Sequence, residues 1–459
     1  VDNKKSWPVV GVFGHYGNEN LGDEAIITAV LQNLRKLWPD VEARCFSIVP
    51  EDSAQRHQVA AFPIRWRPAP TTQARKDKAS SEGPELVSRL SNENKKPSLK
   101  DRLKTLPVMG FGIRVLGRLR AAGQQTLQEI AFLGESYRAV KALDLLMITG
   151  SNQFLDNFGG PWGFPYTLLK WSVLAKLAGV KVFFVSVGAG PLEARQSRLL
   201  VRCALWFADY LSLRDEPSRQ LIAGTGSKCR GLVYPDLAHS LDMSAVAPRS
   251  TVTASRDAGP RVIGINPMPM YDSRYWCEKD DTKYRAYLDR LTEFSAWLIE
   301  AGYEVFFFPT QPKDELVIDD ISRALAEKGL QDGAYKKAGD SVYTLMDIIQ
   351  SADLIVATRF HGTVLSLLSG KPTLSVCYYR KTADLMKDMG QGQYALPLED
   401  LSFDTLVSTF RQLHGNWSEA AEKIRARNRE YVDKLDEQYG HIRELMEGDA
   451  VEAAKRSCG

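Results

Sequence analysis

Short apolar runs alternate with amphipathic segments along most of this chain, and that alternation constrains the fold more than any other property of the sequence. Val9 to Phe13, Val41 to Val49, Leu143 to Thr149, Val180 to Val187 and Tyr210 to Leu213 are strand-length runs separated by loops and periodic segments. A second series starts at Arg261 to Asn266 and continues through Tyr303 to Pro309, Leu354 to Ala357 and Pro372 to Tyr378. Strands and helices at this spacing predict parallel sheets covered by helices on both faces. The polar segment Ser244 to Gly259 reads as a linker between the two series. The expected fold class is therefore α/β, with two doubly wound, Rossmann-like domains and a cleft between them. We place the N-terminal domain at residues 1–245, the C-terminal domain at 260–415 and a helical tail at 416–459. The tail is charged and heptad-like in places, which suits either packing across the domains or a homo-oligomer contact.

The stretch Ser351 to Gly390 carries the chemistry. Its first apolar run ends in Thr358-Arg359-Phe360-His361-Gly362, its second leads into Arg380-Lys381, and a helical pattern follows each. In an open parallel sheet, ligands sit beyond the carboxyl ends of strands, and helix N-termini favour anions. Arg359, His361 and Lys381 therefore read as one site for a small, strongly anionic molecule.

The N-terminal domain opens with a buried strand and then the loop Gly14-His15-Tyr16-Gly17-Asn18-Glu19-Asn20-Leu21-Gly22-Asp23-Glu24. Its glycines fit neither the GxGxxG nor the Walker A spacing, so the nucleotide fingerprints are absent. Asp23 and Glu24 fall in a first helical turn, where they can cap the helix or act as an acceptor-side base.

Several classes are excluded or bounded by composition. A net charge of +3 over 459 residues carries no nucleic-acid signature. No apolar run approaches the roughly 20 residues of a spanning helix, and the first residues lack a secretory signal pattern. The six cysteines are scattered, without metal-ligand spacing, which fits a reducing, cytoplasmic setting. From about 65 to 122 the chain is rich in Arg and Lys, and we read an insertion there. Its second half interleaves Leu99, Leu103, Leu106, Phe111, Leu116 and Leu119 with basic residues, as a segment lying on an anionic membrane surface would.

Taken together, GHYGNENLGDEAI, MITGSNQFLDN, SVGAGPL, LSLRDEPS, YPDLAHSL and ATRFHGTVLSLLSGKPTLSVCYYRKTADLMKDMG resemble the polysaccharide pyruvyl transferase family. The resemblance runs from about residue 9 to 390. Where relatives commonly carry a Gly-Gly pair after the third strand, this chain has Gly150-Ser151.

The resemblance implies a GT-B-like fold and transfer of a pyruvyl group from phosphoenolpyruvate to saccharide hydroxyls, with a cyclic ketal formed and phosphate released. Carried over residue by residue, it implies a donor site of Arg214, Arg359, Phe360, His361 and Lys381. Asn18, Asn20, Asp23 and Asn152 fall on the acceptor side. His361 becomes the candidate general acid, and Asp23 or Glu24 the candidate base. Cationic side chains suit a donor carrying carboxylate and phosphate, so no metal or other cofactor is required. Phosphoenolpyruvate and a saccharide, on a cell-surface polysaccharide or a lipid-linked precursor, are the expected partners. Two alternatives stay open: a GT-B-like glycosyltransferase using a nucleotide sugar, and a non-catalytic sugar or phosphate binder.

Overall fold

The computed structural model describes residues 7–17, 19–66, 128–157, 159–227, 231–246, 259–276 and 279–448. Asn18 and the basic stretch from 67 to 127, with the segment 99–122 expected to lie on a membrane surface, fall outside the described residues.

Two parallel sheets define two α/β domains. The first contains β1 (Val9–Phe13), β2 (Glu42–Ser47), β3 (Ala60–Pro63), β4 (Leu145–Thr149), β5 (Asn152–Phe154), β6 (Lys181–Ala189), β7 (Tyr210–Leu213) and β8 (Leu232–Val233). Its order is β3-β2-β1-β4-β6-β7-β8, with β5 paired to β6. The second contains β9 (Val262–Asn266), β10 (Glu304–Phe307), β11 (Ala334–Lys336), β12 (Leu354–Ala357), β13 (Thr373–Cys377) and β14 (Ala395–Pro397), in the order β11-β10-β9-β12-β13-β14. The strand order reverses between β1 and β4 in one sheet and between β9 and β12 in the other. At such a switch point the flanking connections leave in opposite directions and open a crevice at the strand ends.

Burial explains the strands. All residues of β1, β4, β12 and β13 are buried, as expected where helices cover both faces of a parallel sheet. The helix Leu21–Leu37 is started by the Asn20 side chain, which accepts from the Gly22 amide at 3.2 Å. Its apolar residues join a cluster containing Val342, Leu345, Met346, Val364 and Leu365 of the C-terminal domain. The helix is thus buried between the two sheets, and the Leu21 amide donates to the Thr310 carbonyl across the boundary at 3.0 Å.

A 31-residue helix, Trp417–Glu447, fastens the two domains. Ala420, Ile424 and Tyr431 pack in the C-terminal core, and Leu435, Tyr439, Ile442 and Leu445 in the cluster shared with the N-terminal sheet. Gln438, fully buried, donates to Ser212 Oγ at 2.6 Å and accepts from Ser186 Oγ at 3.1 Å. Ser186 has φ +48, and the register between β6 and β7 shifts around it.

Some elements had no legible signal. The helix Pro50–His57 is polar all round, with only Ser53 buried, so it has no apolar period to detect. β5 has three residues and begins at Asn152, in what reads as a loop.

Candidate functional site

On the N-terminal side, the loop after β1 is fixed by Glu24. This fully buried carboxylate accepts from the Gly17 amide at 2.9 Å through Oε1, and its Oε2 lies 2.6 Å from His57 Nε2. Both oxygens are therefore committed to holding the loop. Asp23, one residue earlier, faces the cleft. Its Oδ2 accepts from Asn20 Nδ2 at 2.7 Å and lies 3.6 Å from His15 Nδ1. Burial alone would raise the Asp23 carboxyl, but His15 beside it and the fields of His361 and Lys381 overcome it and hold the group below the usual range.

The C-terminal side begins where β12 ends. The helices Phe360–Leu368 and Arg380–Asp388 start without a side-chain cap, so their first amides are available to an anion. His361, in the first turn of the former, has a buried Nε2 with no hydrogen-bond partner among the described residues. Burial pushes its imidazole below the ordinary range; Asp23 and Asp236 oppose the shift, and Lys381 and Arg214 reinforce it.

The two sides meet at Phe360. The Arg214 guanidinium, at the end of β7, lies 4.9 Å from the Phe360 ring centroid, and the Lys381 ammonium lies 4.4 Å from it. Arg214 donates to Asn152 Oδ1 at 2.7 Å and reaches Asp236 at 3.4 Å and Asp215 at 3.3 Å. This approach requires a glycine on β6: a Cβ at Gly188 would sit 2.4 Å from Asn152 Oδ1 and 2.6 Å from Arg214 Nη2. Lys381 makes no ion pair with a described residue. Burial, and then Arg214, lower its pKa to about 7, against the weaker pull of Asp23, Asp236 and Asp215.

Arg359 is spent differently. Its Nε donates to Asp314 Oδ1 at 2.7 Å, with Nη2 on the same oxygen, and Asp314 is fully buried. Burial works against the charge, and Asp314 more than restores it. Arg359 thus faces Tyr275, whose ring centroid is 6.0 Å from the guanidinium carbon, with Lys313 4.3 Å from the same ring.

Of the residues singled out from the sequence, Asn20, Asp23, Asn152, Arg214, Phe360, His361 and Lys381 converge on the cleft, Arg359 flanks it, and Glu24 is turned into the loop. Asn18 lies outside the described residues. Sequence reasoning passed over His15, Asp236 and Asp314. His15 and Asp236 sit inside quoted motifs, GHYGNEN and YPDLAHS, but only the folded cleft shows that they flank Asp23 and Arg214. Among the described residues no group of three or more His, Cys, Asp or Glu is arranged to hold a metal ion. No described helix is long and apolar enough to cross a membrane.

Two parallel-sheet α/β domains, with Arg214 and Lys381 gathered where the sheets reverse their strand order, give this chain a GT-B-like fold. The sequence model of the polysaccharide pyruvyl transferase family matches residues 20–380, and the chain belongs to that family, whose members are transferases of polysaccharide biosynthesis. Among curated proteins it is similar to the amylovoran biosynthesis protein AmsJ of Erwinia amylovora, 19% identical over 303 residues that cover 62% of this chain and 69% of that one. Among solved structures, Anabaena HepE in complex with UDP and glucose superposes with TM-score 0.53 at 12% identity, covering 94% of this chain and 99% of HepE. A putative UDP-N-acetylglucosamine 2-epimerase from Listeria monocytogenes gives TM-score 0.53 at 9% identity, covering 91% of each chain. At these identities the two structures share the fold with this chain.

Proposed function

We propose that this chain transfers the pyruvyl group of phosphoenolpyruvate to two hydroxyls of a saccharide, forming a pyruvyl ketal and releasing inorganic phosphate. The observation that carries the reading is the pair of cations, Arg214 and Lys381, held on Phe360 beside His361, whose buried Nε2 has no hydrogen-bond partner among the described residues. Arg214 is already paired with Asp215 and Asp236, whereas Lys381 makes no ion pair with a described residue, so a buried ammonium beside a second cation is stabilised by an arriving anion. Phosphoenolpyruvate, with a phosphate and a carboxylate, is such an anion, and the uncapped helix starts add amide donors for its oxygens.

The chemistry follows from these positions. His361 Nε2 delivers a proton to the methylene carbon of the donor, which becomes a methyl group and leaves a cationic C2. The arriving anion raises the imidazole pKa and so supplies the protonated form that burial disfavours. A saccharide oxygen bonds to C2 and passes its proton toward Asp23, which is held as a carboxylate. The C2–O bond to phosphate then breaks, with Arg214 and Lys381 stabilising the leaving group. The second hydroxyl closes the ketal, and its proton leaves with the phosphate as hydrogen phosphate. Oligosaccharide fragments of cell-surface polysaccharides are the acceptor class, in keeping with the family and with the AmsJ likeness.

The test is phosphate release from phosphoenolpyruvate in the presence of saccharide acceptors, with the product examined by NMR for a ketal methyl singlet. Release that depends on the acceptor and yields the singlet supports the reading. Release of a nucleoside diphosphate from a nucleotide sugar, without phosphoenolpyruvate turnover, overturns it.

A further inference from the structure

The helix Arg195–Trp206 carries large apolar side chains on its outer face as well as its inner one. Its buried side holds Ser197, Val201, Ala204 and Leu205, as packing requires, yet Leu199 and Trp206 point to solvent at 49% and 83% exposure. They share that outer face with Arg195 and Arg202, spaced i, i+4, i+7, i+11, so the four residues form one line along the helix. Arg198 is exposed beside them, and the helix carries no acidic residue. Along the sequence the nearest acids lie off its ends: Glu193 precedes it, and Asp209, which follows, is paired with Lys176 at 2.5 Å.

A second exposed aromatic is tied to the same helix. Trp162, 74% exposed, ends the short turn Gly160–Trp162, which packs against the helix. The Asp156 carboxylate fixes the arrangement by accepting from the Glu193 and Ala194 amides at 3.2 and 2.9 Å, just ahead of the helix start.

We propose that this face docks on an anionic bilayer surface. Charge complementarity decides the occupant: three arginines without an acid repel a basic partner and suit anionic headgroups, and tryptophan with leucine at the same level suits the boundary between headgroups and acyl chains. The face belongs to the segment that leaves β6, the strand whose Gly188 lies against Asn152, so docking would bring the acceptor side of the cleft toward the membrane. It places the bilayer contact on described residues of the N-terminal domain, independent of residues 99–122 and of the identity of the donor.

Sedimentation with vesicles of phosphatidylcholine, with and without phosphatidylglycerol, tests the proposal. The full chain should sediment with the anionic vesicles and remain in solution with the neutral ones. Leu199→Ser combined with Trp206→Ser, and separately Arg195→Gln combined with Arg202→Gln, should each weaken that binding about tenfold or more. Both variants should melt close to the parent, because exposed positions contribute little to stability. Absence of parent binding, or variants that bind as the parent does, would overturn the proposal. So would binding lost on deletion of 99–122 but retained by both helix variants. Light scattering that shows a parent dimer abolished by the Trp206 variant, with vesicle binding unchanged, would assign the face to self-association instead.

Discussion

Gly22 of the N-terminal domain lies directly against the imidazole of His361 in the C-terminal domain: a Cβ at residue 22 would come within 2.1 Å of His361 Cβ and Cγ. The first turn of the helix Leu21–Leu37 therefore sets the position of the candidate acid. Alanine in a helix is ordinarily worth about 1 kcal/mol over glycine. Here contacts below 3 Å outweigh that gain, so Gly22→Ala should reduce turnover at least about tenfold by displacing His361. Turnover and thermal unfolding measured on the variant decide the point, and undiminished turnover would remove His361 from the role given to it.

Arg359 and Lys381 should respond differently to truncation. Arg359→Ala strands the buried Asp314 carboxylate, a loss of about 3–5 kcal/mol for a broken buried pair. Lys381→Met leaves no carboxylate without its hydrogen-bond partner and fills similar volume. The expectation is that Arg359→Ala lowers both the melting temperature and donor binding, whereas Lys381→Met lowers donor binding alone. Melting curves with a donor titration for each variant separate the two effects.

The depressed pKa of Lys381, about 7, makes donor affinity depend on pH. An anion binds the protonated ammonium, so affinity should fall as pH rises above 7, by up to tenfold per unit, with a proton taken up on binding. Stability runs the other way. Between about 7 and the ordinary lysine value the unfolded chain binds the extra proton, so this group's contribution rises with pH through that window. Titrations in buffers of different ionisation heat report the proton uptake, which should grow as pH rises through 7.

Ser151 has φ +42, next to Gly150 at φ +41. A non-glycine residue in the left-handed region costs about 1 kcal/mol. Ser151→Gly should stabilise the protein by about 0.5–1 kcal/mol, read as a rise of a degree or two in melting temperature.

The two-sheet architecture was legible because each buried strand is a continuous apolar run, and the break in alternation at Ser244 to Gly259 marks where one sheet gives way to the next. Arg214, Phe360, His361 and Lys381 were legible because short motifs carry them at strand ends. The sequence could not show how each charge is spent. Asp23 and Glu24 are adjacent and chemically alike, yet one faces the cleft and the other holds Gly17 and His57, a difference set by helix phase and by the packing of residues far apart in the chain. Arg359 read as a free cation because its partner Asp314 lies 45 positions away, on a different connection of the sheet.

The central claim, that the cleft binds phosphoenolpyruvate through the cations on Phe360, is tested most directly by calorimetric titration with phosphoenolpyruvate and, in parallel, UDP-sugars, for the parent and Lys381→Met. Saturable binding of phosphoenolpyruvate by the parent, lost in the variant while its melting temperature is kept, is the predicted result. Binding of UDP-sugars with no heat from phosphoenolpyruvate would contradict it.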